Sequence, residues 1–240
     1  LLTGCFGNVG QNCLKNLLKN GHEVTCFDLE TSDNEKAMKK MLEIGDFKMI
    51  WGDITSQEDL NAAVKDVDCI IHLAAIIPPL SEQNPALAKK VNVEGTRNLL
   101  EAARSLSNPP KFIAASSVSV HGPRMHLEPA CSEDDPLCPT DHYSHTKVEV
   151  EEMIKESGLP WMILRLGAVS IPEVPTKMDS LYMLYEVPLD QRIEFIDSRD
   201  AGLAFANAVS CEEAINEVLM VGGGKENGCR TFADRVEEKI

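Results

Sequence analysis

The sequence predicts a doubly wound α/β domain: a parallel sheet with helices on both faces and a small C-terminal substrate-binding lobe. Three observations predict it. Short apolar runs alternate along the 240 residues with longer stretches of helical period, the pattern of successive β-α-β units. A glycine-rich turn, Thr3-Gly4-Cys5-Phe6-Gly7-Asn8-Val9-Gly10, joins the first apolar run to the first helical stretch. An acid, Asp28, closes the second run eighteen residues after Gly10.

Leu1–Thr3 reads as the end of a first strand, and Val9–Asn20 as a helix closed by Gly21 just past its last turn. The second strand is predicted over His22–Phe27 and the third over Phe47–Trp51. Cys69–Leu73, a buried run between Asp68 and the Pro78-Pro79 loop, is the fourth. A long helix covers Asn84–Ser105, where Leu87, Val91, Leu99 and Ala103 share one apolar face. Lys111–Ser116 and Trp161–Leu166 are the fifth and sixth strands. Between them Val120–Asp141 forms a loop rich in Pro, Cys and acids, too long to be idle in a compact domain. The pattern loosens over Ile171–Leu189, then resumes as a strand at Ile193–Ile196, a helix from Ser198 and a strand near Val218–Val221. Residues 1–166 are thus expected to hold the cofactor and the chemistry. Residues 167–240 are expected to mix a small substrate lobe with returning sheet elements, all within one compact unit.

Composition narrows the partners. The net charge of −15 opposes a phosphate backbone, so nucleic acid is not expected. No apolar run approaches the roughly 20 residues that span a bilayer, so no membrane partner is expected either. The eight cysteines form no C-x-x-C pair and sit mostly in apolar stretches, which fits reduced thiols in a cytoplasmic protein. His121, His126, Cys131, Cys138, His142 and His145 crowd together, but their spacings match no metal pattern and no metal is expected. The Met-rich stretch Met178–Leu184 is read as core or lid packing. The chain opens mid-strand without methionine, and the native protein is expected to extend beyond both ends.

The glycine turn carries the first chemistry. Gly4 allows a sharp turn, Gly7 lets backbone N–H groups approach a pyrophosphate, and Gly10 permits close helix–strand packing. Phe6, Asn8 and Val9 fill the same cradle at a helix N-terminus whose partial positive charge suits phosphate. Asp28 stands where a carboxylate accepts hydrogen bonds from the adenosine ribose. It is followed by Leu29 and Glu30, with no cation before Lys36, so the expected cofactor is NAD, not NADP. Asp53 and Ile54 follow the third strand, where they are expected to border the adenine.

The second constellation is Tyr143-Ser144-His145-Thr146-Lys147, a phenol and an ammonium four residues apart on a predicted helix. A neighbouring ammonium favours phenolate and is expected to lower the Tyr143 pKa, making it a general acid/base. Ser117, at the end of the fifth strand, is placed to hydrogen-bond the same substrate oxygen.

Together, TGxxGxxG, Asp28, Ser116-Ser117-Val118-Ser119-Val120-His121-Gly122 and the Tyr143–Lys147 pair resemble the extended short-chain dehydrogenase/reductase superfamily, closest to its NAD-dependent epimerase/dehydratase family. His72-Leu73-Ala74-Ala75, Asn92-Val93-Glu94-Gly95-Thr96, the Ser132–Pro139 loop, Arg165 and Arg199-Asp200 extend the resemblance along nearly the whole chain. It implies a Rossmann fold, with Leu73, Ala74 and Ala75 beside the cofactor. It also implies hydride exchange at a carbinol or carbonyl carbon of a sugar-like substrate. Tyr143 is the implied acid/base, Lys147 the ligand of the nicotinamide ribose, Ser117 the polariser and Asn92 the support of the central helix and of a proton-relay water, with Asn92 and Tyr143 implied beside the cofactor as well. A homodimer through two helices is implied as well. Two departures qualify the substrate. The family's V-Y-G triplet reads Val120-His121-Gly122, which would set an imidazole towards substrate, with Arg165 nearby. Only about thirty residues separate Arg165 from Phe195, which suggests a ligand smaller than a nucleotide sugar. A dehydrogenase or reductase without net epimerisation, and a non-catalytic NAD-binding redox sensor, are the alternatives.

Overall fold

The computed structural model describes residues 1–124, 127, 131–170, 189–190 and 192–223. His126 and Met178–Leu184, named above, lie outside the described residues. In chain order the strands are β1 Leu2–Thr3, β2 Thr25–Asp28, β3 Lys48–Trp51, β4 Cys69–His72, β5 Lys111–Ser117, β6 Trp161–Leu166, β7 Ala168–Ser170, β8 Phe195–Asp197 and β9 Glu217–Val221. The helices are α1 Asn8–Lys19, α2 Ser32–Leu42, α3 Gln57–Ala63, α4 Leu80–Gln83, α5 Pro85–Ala88, α6 Gly95–Arg104, α7 His142–Lys155 and α8 Ser198–Ala208.

Seven strands form one parallel sheet in the order β3-β2-β1-β4-β5-β6-β9, and β7 pairs with β8 in a separate two-stranded sheet. The Rossmann-type, doubly wound architecture expected from the sequence is therefore present. Its register is close: Leu2 lies opposite both Cys26 and Ile71. The order reverses between β1 and β4, and in such sheets the crevice at that point, beyond the strand C-termini, is where ligands bind.

Each face of the sheet owns a core. Leu2, Cys13, Leu14, Leu17, Met162 and Phe205 bury one face beneath α1 and α8, with Phe205 inaccessible to solvent. Ile70, Leu99, Phe112, Ile154 and Ile163 bury the other beneath α3, α6 and α7. Burial of such side chains stabilises by about 1.5–3 kcal/mol each.

Three local outcomes differ from expectation. Helices α2 and α3 were not foreseen, because α2 buries only Met41 and α3 is seven residues long; Thr31 caps α2, with Asp33 and Glu35 in the first turn and Lys39 and Lys40 in the last, and Ser56 caps α3. The long helix expected from Asn84 is interrupted by a π-helical segment, Lys89–Glu94, between α5 and α6. Such bulges admit one extra residue per turn and often mark functional positions. Strand β7 is the third: it leaves the main sheet to pair with β8.

Among the described residues no helix is long and apolar enough to cross a membrane, and no cluster of His, Cys, Asp or Glu could hold a metal.

Candidate active site

The cradle is built where β1 ends. Gly4 takes φ +66°, a left-handed backbone, and an added Cβ would lie 2.7 Å from the Ala74 nitrogen. A Cβ on Gly10 would run into the Gly4 carbonyl oxygen. Both glycines are thus required by internal packing. Gly7 is different: a Cβ there would meet only the Gly4 oxygen, at 3.5 Å, and the residue is exposed. Its missing side chain keeps the outer side of the turn open.

Helix α1 starts on Gly7 with no side-chain cap and no acid in its first turn. By contrast Thr31, Asp141 and Asp197 cap α2, α7 and α8 with their side chains. The first turn of α1 therefore keeps its N–H groups and partial positive charge for an anion. Asn8 is exposed and Val9 half-buried beside them. These features fit a dinucleotide pyrophosphate. Gly10→Ala should cost about 1–3 kcal/mol of stability through overpacking and abolish cofactor binding, read by thermal unfolding with and without NAD. A wild-type melting curve for this variant would contradict the geometry.

Asp28 ends β2 beside the cradle. Its Oδ2 accepts from Phe6 N at 3.0 Å, while its Oδ1 accepts from Leu29 N at 2.9 Å and Asn34 Nδ2 at 3.2 Å. Burial raises its pKa against these donors. The carboxylate therefore braces the glycine turn through Phe6, whose ring packs on Trp51 at 5.7 Å. Asp53 is exposed and its Oδ1 accepts from Thr55 N at 2.8 Å. Ile54 is buried in the core beneath Gly95. Leu73, Ala74 and Ala75 follow β4, half-buried, with Leu73 N on Thr3 O at 3.2 Å.

A buried relay supports this edge of the crevice. Thr96 Oγ1 donates to the Asn92 carbonyl, so His72 Nε2–H must donate to Thr96 Oγ1 at 2.9 Å. His72 Nδ1 then accepts from Thr3 Oγ1 at 2.8 Å, and Thr3 Oγ1 accepts from Ala74 N at 3.3 Å. Burial, with the Lys147 charge, pulls His72 down to about 3, which keeps it neutral. Asn92, in the π-helical segment, accepts from Ile76 N at 2.7 Å and donates to Ile76 O at 2.9 Å and to Thr146 Oγ1 at 3.1 Å. Its side chain thus clamps the loop after β4 to α7.

Tyr143 and Lys147 share one face of α7, the Lys147 ammonium lying 5.6 Å from the Tyr143 ring centroid. Lys147 Nζ donates to Ala115 O at 2.8 Å, two residues before Ser117 in β5, a separation of about 7 Å along a strand. Ser117 is half-buried and its Oγ accepts from Ser119 N at 3.2 Å, capping the 3-10 turn Val118–His121. Burial lowers Lys147 to about 8. Burial, aided by the Asp141 carboxylate, pushes the Tyr143 phenol above its ordinary range. That direction is opposite to the one expected from the ammonium alone: desolvation of the phenolate outweighs a cation whose Nζ is engaged by Ala115.

His121 and Arg165 require correction as substrate-facing candidates. Each is only 2% exposed. Arg165 grips Glu151 with Nε to Oε1 at 2.9 Å and Nη2 to Oε2 at 2.7 Å. Its Nη1 donates to Glu133 O at 2.9 Å and to His121 Nε2 at 3.1 Å. Arginine cannot accept, so His121 carries its proton on Nδ1 and gives it to Pro136 O at 3.3 Å. The long loop is thereby fastened from beneath, with Arg124 and Asp135 paired at 2.9 Å on its rim. Sequence reasoning missed Glu151, although its place four residues after Lys147, between buried Val150 and Ile154, is a readable signal.

Burial holds both His72 and His121 below their ordinary 6.5. Each is neutral when folded and protonates more readily when unfolded, so its contribution is present above pH 6.5 and lost as pH falls towards the folded value. Melting temperature should fall as pH drops below about 6.5, and His121→Gln should flatten part of that decline. Equal slopes for variant and wild type would refute the buried-neutral assignment of His121.

The parallel sheet with its uncapped glycine cradle defines a dinucleotide-binding α/β protein. Residues 1–185 match the family model described as NAD dependent epimerase/dehydratase family, and the chain belongs to that family. It is 34% identical over 163 residues to a 3-beta-hydroxysteroid dehydrogenase of Mycolicibacterium neoaurum, covering 64% of this chain and 42% of the relative. It is 31% identical over 159 residues to the decarboxylating sterol-4-alpha-carboxylate 3-dehydrogenase of Homo sapiens, covering 65% and 39%. The chain thus spans about two-fifths of the length of these two curated relatives. Among solved structures, UDP-glucuronic acid 4-epimerase from Bacillus cereus, in complex with UDP-glucuronic acid and NAD, superposes with TM-score 0.79 at 26% identity, covering 93% of this chain and 77% of that one. NAD is the cofactor of the family, and the cradle residues fit it.

Proposed function

We propose that this protein is an NAD-dependent enzyme that oxidises a carbinol carbon of a sugar or related small polyol or acid, and returns the hydride to the opposite face of that carbon. The observation that carries it is the Tyr143–Lys147 pair, pinned to Ala115 just before Ser117 at the end of β5. NAD supplies the two-electron acceptor. Tyr143 takes the hydroxyl proton as the C–H bond breaks, and gives it back on reduction. Ser117 donates to the same oxygen. Lys147 holds its ammonium below about pH 8, where its charge opposes the burial that raises the Tyr143 phenol, and binds the nicotinamide ribose. Asn92 keeps the loop after β4 against α7. The glycine turn and Asp28 hold the adenine half of the cofactor, with Asp53, Leu73, Ala74 and Ala75 at its border.

A second reading is a dehydrogenase without epimerisation. It is favoured by the steroid and sterol dehydrogenases among the relatives. A cytoplasmic setting and a homodimer through α6 and α7 belong to the same proposal. The first is supported by the unpaired buried thiols of Cys5, Cys13 and Cys26, the second by the family resemblance alone.

The test is incubation with NAD and, separately, UDP-glucose, UDP-glucuronic acid, D-erythronate and a 3β-hydroxysteroid, following NADH absorbance and the stereochemistry of recovered substrate. Epimer without net NADH supports the first reading, and stoichiometric NADH the second. Neither product from any of them would leave the chain a cofactor-binding sensor.

A further inference from the structure

The first turn of α7 carries Tyr143, and its backbone donors are met from two directions. Asp141 accepts from Ser144 N at 2.7 Å, a local cap within the helix's own sequence. The two remaining donors go elsewhere: His142 N donates to Glu82 Oε2 at 3.1 Å and Tyr143 N to Glu82 Oε1 at 3.0 Å. Ser81 Oγ donates to the same Oε1 at 3.0 Å, and Ser81 is itself fully buried. Glu82 lies about sixty residues away, on the segment that leaves the Ala74-Ala75 turn, is clamped at Ile76 by Asn92, and turns through Pro78-Pro79 into α4.

A carboxylate from a distant segment is not needed merely to start this helix, since Asp141 already caps it. What Glu82 adds is a fixed distance. One two-oxygen bridge ties the loop following the cofactor turn to the backbone of the tyrosine itself. Bonds from N–H groups to a carboxylate are stronger than neutral ones, and the N-terminal end of α7 favours the charge. Desolvation is the largest single influence and raises the Glu82 carboxyl, but the His142, Tyr143 and Ser81 donors together outweigh it and leave Glu82 below the ordinary carboxylate range.

We infer that Glu82 is a positioning residue for Tyr143, setting the phenol's place relative to the cofactor turn by holding the Tyr143 and His142 N–H groups. The inference rests on the reading of Tyr143 as the acid/base, but its decisive readout needs no turnover. The chain is labelled with 13Cζ-tyrosine, and the Tyr143 resonance is assigned by its loss in Tyr143→Phe. In Glu82→Ala the Tyr143 resonance should move or split, and amide exchange at His142 and Tyr143 should rise about tenfold while Ser144 stays protected. Glu82→Gln keeps one acceptor oxygen, so it should restore protection at one of the two amides and leave the Tyr143 resonance between its Glu82→Ala and wild-type positions.

Turnover of UDP-glucuronic acid with NAD, if the protein accepts it, should fall about tenfold in kcat for Glu82→Ala at unchanged KM for NAD, with Glu82→Gln between the alanine variant and wild type. An unmoved Tyr143 resonance in Glu82→Ala overturns the inference. So does a glutamine variant as displaced as the alanine, because the disturbance would then belong to α4 and not to the bond at Tyr143. Absence of turnover with every substrate counts against the proposed function and leaves the resonance and exchange data to decide this inference.

Discussion

Glu151→Ala is expected to destabilise the protein by about 3–5 kcal/mol, because it strands the Arg165 guanidinium in a site that is 2% exposed. Both carboxylate oxygens are used: Oε1 by Arg165 Nε and by Ser116 Oγ at 2.6 Å, Oε2 by Arg165 Nη2. Lys155 adds a longer contact at 3.5 Å. Arg165 and Ser116 hold the Glu151 carboxyl below its ordinary range against the opposing effect of burial. The double replacement Glu151→Leu with Arg165→Met should recover much of the loss, since an apolar pair of similar volume leaves no charge uncompensated. Denaturant unfolding of the two variants separates the cases. Equal losses for single and double replacement would show that the pair itself, and not the stranded arginine, carries the stability.

Tyr143→Phe is the second large effect: turnover should fall by about 10²–10⁴-fold, the range for loss of a positioned acid/base. KM for NAD should change little, because the phenol is not part of the glycine cradle. The lost hydroxyl leaves the helix intact, since Glu82 and Asp141 satisfy its first turn through backbone N–H groups. Turnover by this variant within threefold of wild type would remove Tyr143 from the chemistry.

How much of this was legible depends on the range of the interaction that decides each feature. The glycine turn, Asp28 and the parallel strands are local patterns, and they stand where the sequence placed them. Asp28 also braces Phe6 N, a contact that spacing does not reveal. Helix α2 escaped because caps and charges, not an apolar stripe, define it. His121 and Arg165 were found as site neighbours but given the wrong depth. Chain position put them near the catalytic loop, whereas their burial follows from partners 14, 32 and 44 residues distant from Arg165. Glu82 had no local signal at all, because its meaning lies in two amides on another element. The Tyr143 pKa reversed direction for a related reason: spacing shows the ammonium, but not the desolvation that opposes it.

The central claim is that the cradle from Gly4 to Gly10, with Asp28, selects NAD. Calorimetric titration of the wild-type chain with NAD and NADP tests it most directly. Saturable NAD binding, at least tenfold weaker NADP binding, and loss of both in Gly10→Ala are the predicted results; NADP binding as tight as NAD, or NAD binding undiminished in Gly10→Ala, would contradict it.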